Sequence, residues 1–168
     1  MFLISEDFWE VRKTENRGLG VFAKKEIAKG TIISDYLGKV IKYIDFDLEL
    51  DKHGLYLMYY SDEFGIYPDL TKPGPHLINH TCEPNCWIYV YRGHTLFYAL
   101  RDIKVNEEIT INYLLSPDDT HLCLCGSKNC TGFMHPSRTS RVESKARRAK
   151  VIVGENLAPL KTYPVLKS

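Results

Sequence analysis

The chain has 168 residues, 44% hydrophobic and 26% charged, with a net charge of +1. This is the profile of one globular domain with a real core, about 70% of the unfolded surface being buried at this length. A second full domain has no room, and a charge near zero excludes a molecule that binds nucleic acid by its overall field, so any basic patch must be local. No run approaches the ~20 apolar residues of a bilayer span, and Glu6, Asp7 and Glu10 leave no basic leader at the N-terminus. The chain is therefore expected to be soluble, without a membrane partner, and made in a reducing compartment.

Residues 8–115 read as short β-like runs cut by turn signals, the pattern of a mainly β fold. Gly20-Val21-Phe22-Ala23, Thr31 to Tyr36 and Trp87 to Tyr91 are such runs. Arg92-Gly93-His94 separates the last from Thr95 to Leu100, which predicts a hairpin, since Gly in a short loop between two β-prone runs permits the tight reversal. Asp45 to Tyr60 is the one stretch with a plausible, short helix. Pro73-Gly74-Pro75 forbids regular structure before His76. After Ser116 the composition changes to a loop and a cysteine cluster. Residues 138–150 then carry Arg138, Arg141, Lys145, Arg147, Arg148 and Lys150 against one acid, Glu143.

Four constellations could carry chemistry. In Arg17-Gly18-Leu19-Gly20 the paired glycines allow close approach of a ligand to the backbone, or a positive φ; no strand–GxGxxG–helix unit surrounds them, so this is not a dinucleotide fingerprint. Asn79 to Cys86 (NHTCEPNC) packs two Asn, one His and two Cys around a proline, and each of these polar groups needs a partner if buried. Asn106 to Tyr113 (NEEITINY) reads as a turn feeding a strand with Ile109, Ile111 and Tyr113 on one face. Lastly, the five cysteines, at 82, 86, 123, 125 and 130, are odd in number and argue for metal binding or buried thiols over a disulfide framework. Cys123-x-Cys125-x4-Cys130 offers three thiolates for a tetrahedral zinc ion, whose fourth ligand must come from elsewhere, with Cys82 or Cys86 as donors.

The order of these motifs, RGLGVFA, DYLG, LINHTCEPNC, NEEITINY and then CxCx4C, closely resembles that of SET-domain protein-lysine methyltransferases with a post-SET segment. The likeness runs from Arg12 to Phe133 and implies a minimal form of the family, without a cysteine-rich pre-SET region. It implies a SET-domain, β-clip-like fold of short strands and small sheets with a pseudo-knot, closed by a zinc-bound C-terminal segment. The expected organisation is a SET domain over 1–115, a post-SET zinc segment over 116–137 and a basic extension over 138–168. The implied reaction is transfer of methyl groups from S-adenosylmethionine to the side-chain amine of lysine in a protein, a histone tail or another basic DNA-associated protein. Its location would then be cytoplasmic, or nuclear and chromatin-associated if histones are the target.

By the same resemblance, Arg17, Gly18, Leu19 and Gly20 form the cofactor loop, Asn79 and His80 grip the cofactor in the knot, and Phe133 is an apolar lid. Tyr113 matches the catalytic tyrosine, which also faces the cofactor, and Tyr36 and Tyr56 are walls of a lysine channel. Cys82 joins Cys123, Cys125 and Cys130 around Zn²⁺, leaving Cys86 a packed thiol. The chemistry is consistent. A lysine attacks a methyl group only when neutral, and with a reference pKa of ~10.4 its neutralisation at pH 7 costs about 4–5 kcal/mol. An aromatic channel and a nearby sulfonium both lower that pKa. Three features depart from the family pattern: His76 replaces an Arg, the stretch 69–79 is short, and Ile111 stands where Phe or Tyr influences how many methyl groups are added. Rival readings are a catalytically dead SET domain, and a zinc-stabilised nucleic-acid- or chromatin-binding module that touches phosphates through 138–150.

Overall fold

A computed structural model describes residues 6–51, 55–116 and 121–135. The basic run 138–150 and the rest of the expected 138–168 extension lie outside the described residues, as do residues 117–120. Within the described residues the chain forms ten strands and four 3₁₀ turns. No helix among them is long and apolar enough to cross a membrane.

Three small sheets carry the strands. The first orders as β1–β2–β10–β7, from β1 (Trp9–Lys13), β2 (Leu19–Ala23), β7 (Asn79–His80) and β10 (Glu108–Ile111). The second is β3–β9–β8, from β3 (Ile32–Asp35), β8 (Cys86–Tyr91) and β9 (His94–Ala99). The third is β4–β6–β5, from β4 (Lys39–Lys42), β5 (Met58–Tyr59) and β6 (Phe64–Tyr67). The mainly β expectation is met.

The β8–β9 hairpin forms where the turn chemistry placed it. Arg92 and Gly93 take φ of 45° and 90°, the two positive values that match a tight two-residue loop to the twist of the strands. His94 is the first residue of β9, not the last of the loop. Val21, Ile33, Phe97 and Ile109 are all 0% exposed and belong to one core cluster shared by the first two sheets. Each such side chain contributes about 1.5–3 kcal/mol on burial.

β10 lies between β2 and β7. It pairs antiparallel with β2 and parallel with β7, where Thr110 opposes Asn79 and Ile111 opposes His80. Thr81 N–H extends the ladder to the Ile111 carbonyl at 2.8 Å. This pairing sets the NHTC segment beside the strand of the NEEITINY motif. The strand stops at Ile111, so Tyr113 stands two residues beyond it, where the chain bends through Leu114 at φ 53°.

Among the described residues of Asp45 to Tyr60 the expected helix does not form. Two 3₁₀ turns, Tyr43–Asp45 and Leu48–Asp51, are followed by β5. Asp45 and Glu49, and likewise Asp47 and Asp51, would stand as like charges four residues apart on a helix. The carboxylates bond locally instead: Asp47 Oδ1 accepts Glu49 N–H at 2.9 Å, and Asp51 accepts from Leu55 and Tyr56. Such side-chain bonds compete directly with the helical ladder.

Candidate functional site

The 14–18 turn is closed by Thr14 N–H to the Gly18 carbonyl at 2.7 Å and by Arg17 N–H to Thr14 Oγ1 at 2.9 Å. Gly18 has φ +71° and open space where a Cβ would stand. Gly20 is needed for a different reason: a Cβ there would lie 2.7 Å from Glu108 Oε1 and 2.9 Å from Asn79 Nδ2. The backbone of β2 is thus pressed against a polar network while Leu19, 45% exposed, faces outward.

Glu108 is the hub of that network. One carboxylate oxygen takes the Arg17 guanidinium and the other accepts Asn79 Nδ2 at 2.9 Å. Arg17 also donates to the His80 carbonyl at 3.0 Å, and Asn79 Nδ2 donates to the Leu19 carbonyl at 2.9 Å. Arg17, Leu19, Gly20, Asn79 and His80 are therefore brought together. The Arg17 side chain is committed to holding the loop to β7 and β10.

Sequence reasoning did not single out Glu108 or Asn85. Asn85 is 2% exposed. Its Nδ2 donates to the Glu108 carbonyl at 2.7 Å and Glu107 Oε1 at 3.0 Å, and its Oδ1 accepts Thr110 N–H at 2.9 Å. The available signal was that every polar side chain in NHTCEPNC needs a partner, and the adjacent acids of EEIT were the nearest candidates.

His80 links this network to Tyr113. Its Nδ1 accepts Tyr113 N–H at 3.1 Å, and the two rings meet edge-on at 5.4 Å. Burial, reinforced by the Arg17 charge, pushes the imidazole down to about 4, so the ring is neutral near pH 7. With Nδ1 accepting, its proton sits on Nε2, 3.7 Å from Cys82 Sγ. The Tyr113 hydroxyl donates to the Ile78 carbonyl at 2.9 Å. Burial, with Tyr56 close by, holds its ionisation well above the ordinary phenol value.

Tyr36 and Tyr56 are joined to one another through the Tyr56 backbone. The Tyr36 hydroxyl donates to the Tyr56 carbonyl at 2.5 Å. Burial first, and then Tyr113 and Asp51, keep Tyr36 protonated. The Tyr56 ring meets His76 edge-on at 5.9 Å. His76, the residue standing where the family pattern has Arg, thus packs against a wall residue. Ile111 is 5% exposed and belongs to the core.

The sulfur atoms of Cys82, Cys123, Cys125 and Cys130 lie within 4.8 Å of one another and could hold one metal ion. Sulfurs bound at about 2.3 Å around a tetrahedral ion stand about 3.8 Å apart, and the Cys82–Cys123 separation is 3.8 Å. Cys86, the other donor left open by the spacing, is 0% exposed and absent from the cluster; burial pushes its thiol well up. The 121–135 segment closes on itself through Cys123 N–H to Gly132 O at 2.9 Å and Met134 N–H to His121 O at 3.0 Å. Leu115 N–H to Met134 O at 3.3 Å and Asn129 to Glu83 join it to the body. Phe133 stacks on His135 at 5.2 Å and is 39% exposed.

The family model described as "SET domain" matches residues 18–114. The chain is 33% identical over 158 residues to histone-lysine N-methyltransferase TRX1 of Oryza sativa subsp. japonica, covering 86% of this chain and 15% of that protein. It is 34% identical over 136 residues to an H3 lysine-36 specific histone-lysine N-methyltransferase of Aspergillus oryzae, covering 74% of this chain and 14% of that one. It therefore spans a small fraction of the length of these curated relatives. Among solved structures it is similar to KRYPTONITE in complex with mCHH DNA, H3(1-15) peptide and SAH, with TM-score 0.62, 25% identity, and coverage of 76% of this chain and 29% of that one. With a match that spans more than half of its residues and contains Gly18, Asn79, His80 and Tyr113, the chain belongs to the SET-domain family.

Proposed function

We propose that this domain transfers methyl groups from S-adenosylmethionine to the side-chain amine of lysine in a histone or another basic protein. The observation that carries the reading is the double attachment of Tyr113. Its backbone is bonded to His80 of the Arg17–Glu108–Asn79–His80 network, while its hydroxyl is bonded to the Ile78 carbonyl. The names of the relatives and the SAH and H3 peptide held by KRYPTONITE support the same assignment.

The residues fit the cofactor. Gly18 leaves open space outside the 17–20 loop, and that loop is anchored from behind by Asn79 and Glu108. Arg17, Gly18, Leu19, Gly20, Asn79 and His80 would hold it, with Phe133 as an exposed apolar cover. S-adenosylmethionine supplies an activated methyl group on a sulfonium. The tyrosines supply positioning. The Tyr113 and Tyr36 hydroxyl protons are already given to the carbonyls of Ile78 and Tyr56, so their oxygens offer only lone pairs to a substrate. Such oxygens orient an amine and accept weak CH···O contacts. Both phenols stay protonated, and neither serves as a strong base. Aromatic walls strip water from the lysine and favour its neutral form, and holding the amine in line is positional catalysis.

Zn²⁺ is the ion proposed for Cys82, Cys123, Cys125 and Cys130, because four thiolates at tetrahedral spacing form a closed structural site. His80 Nε2–H, directed at Cys82, would be an outer-shell donor to that site. The non-catalytic nucleic-acid-binding reading rests on residues 138–150, and no observation at the site favours it.

A labelled-methyl transfer assay on core histones and on a histone H3 1–15 peptide tests the proposal. The wild-type protein should label lysine. Tyr113→Phe should lose about a hundredfold in kcat, the scale of removing one preorganised polar contact, with SAH affinity within a few-fold. Normal turnover by the variant would overturn the catalytic assignment.

A further inference from the structure

Asp51 is a carboxylate that the proposed chemistry leaves unused. It is 5% exposed and ends the 3₁₀ turn Leu48–Asp51. Its Oδ1 accepts Leu55 N–H at 3.3 Å and its Oδ2 accepts Tyr56 N–H at 2.9 Å. The carbonyl of the same Tyr56 accepts the Tyr36 hydroxyl at 2.5 Å. Tyr56 lies outside any strand, so no ladder satisfies its backbone. Two buried side chains do so, Asp51 at the N–H and Tyr36, just past the end of β3, at the carbonyl. The carboxylate is close enough to Tyr36 and Tyr67 to oppose their ionisation.

A charged acceptor makes a stronger hydrogen bond than a neutral one, the more so when partly shielded from water. Removing it leaves the Tyr56 N–H without its partner and lets residues 55–57 relax. The Tyr36 hydroxyl, whose donor direction is set by the Tyr56 carbonyl, would then turn as well. Among the described residues, the hydrogen bonds that join Asp51, Tyr56 and Tyr36 do not involve the 17–20 loop, Asn79 or Glu108.

We propose that Asp51 is a positioning residue of the lysine-binding wall: by holding Tyr56, and through its carbonyl the Tyr36 hydroxyl, it governs how the substrate lysine is seated without affecting how the cofactor is held. This rests on the methyltransferase reading above. The assignment separates two halves of the site, one fixed through Glu108 and one through Asp51.

Asp51→Ala and Asp51→Asn, each with and without Tyr36→Phe, test it. Asp51→Ala should raise KM for a histone H3 1–15 peptide about tenfold or more, the scale of one charge-assisted hydrogen bond. The Kd for SAH should stay within twofold. Asp51→Asn keeps one acceptor oxygen and should recover part of the loss; it also carries the test if the alanine variant fails to fold. Because Asp51 and Tyr36 support the same residue, the double variant should be little worse than the more affected single one. Multiplying effects, or an SAH Kd that weakens as much as the peptide KM rises, would overturn the proposal. Amide hydrogen exchange at Tyr56 gives a readout without turnover: it should accelerate in both variants, and unchanged exchange would also overturn the proposal. A wild-type protein that transfers no methyl group, with accelerated exchange in the variants, would instead remove the methyltransferase reading and leave the Asp51 grip established.

Discussion

Replacing Glu108 by Gln tests whether the cofactor half of the site hangs on one carboxylate. Glu108 accepts from two donors, the Arg17 guanidinium and Asn79 Nδ2. A glutamine has one acceptor oxygen and one NH₂ group, so satisfying Asn79 turns a donor toward the guanidinium, and satisfying Arg17 turns it toward the Asn79 amide. A hydrogen bond to a charged group contributes about 1.5–3 kcal/mol. The Arg17 and Glu108 side chains are 22% and 16% exposed, and solvent screening places the loss toward the lower end, about 1.5–2 kcal/mol. At 1.4 kcal/mol per tenfold, the Kd for SAH measured by calorimetry should weaken about 10–30-fold. Tm should fall by roughly 3–8 °C. Gly20→Ala should weaken binding in the same way from the opposite side, since its Cβ would stand 2.7 Å from Glu108 Oε1 and 2.9 Å from Asn79 Nδ2. An SAH Kd unchanged in Glu108→Gln while Tm falls would refute the reasoning and make Glu108 a stability residue alone.

Three further outcomes are expected. Protein purified without chelator should contain one zinc per chain by elemental analysis, and Cys125→Ser should lose it; because metal binding supplies folding energy, exchange protection should vanish over 121–135 while β8 and β9 stay protected. Ile111 has no hydroxyl to anchor a water beside the amine, so mass spectrometry under excess cofactor should show di- or trimethyl-lysine, and Ile111→Tyr should shift the product toward monomethyl. Burial alone would raise the Glu107 carboxyl, but hydrogen bonds from Arg101, Lys104 N–H and Asn85 bring it down to about 2 against an ordinary 4.5. A lowered folded-state pKa contributes stability that is complete above the unfolded value and is lost as pH falls through the folded one. Acid unfolding followed by circular dichroism should therefore steepen between about pH 4.5 and 2, and Glu107→Gln should flatten that window.

Much of this was legible in residue order. Local signals sufficed wherever a short stretch specifies its own geometry: the Arg92-Gly93 reversal, the β-prone runs and the closely spaced cysteines each follow from chemistry within a few residues. The motif order then implied the family and the choice of Cys82 as the fourth sulfur. Spacing alone left Cys82 and Cys86 equivalent, because β8 begins at Cys86 and carries that thiol into the core, which depends on the partner strand β9.

The tertiary structure decided what depends on distant partners. Asp45 to Tyr60 read as a short helix because local patterning cannot register which carboxylates will be drawn into other bonds; Asp51 went to the backbone of Leu55 and Tyr56 instead. Glu108 reads in sequence as one of two adjacent acids before a strand. Only the packing of β10 between β2 and β7 brings it to Arg17, 91 positions away, and to Asn79, 29 positions away. Residue types and local turns are properties of neighbours along the chain. Which buried polar group satisfies which is a property of strand order, and that is set by the cooperative burial of the core.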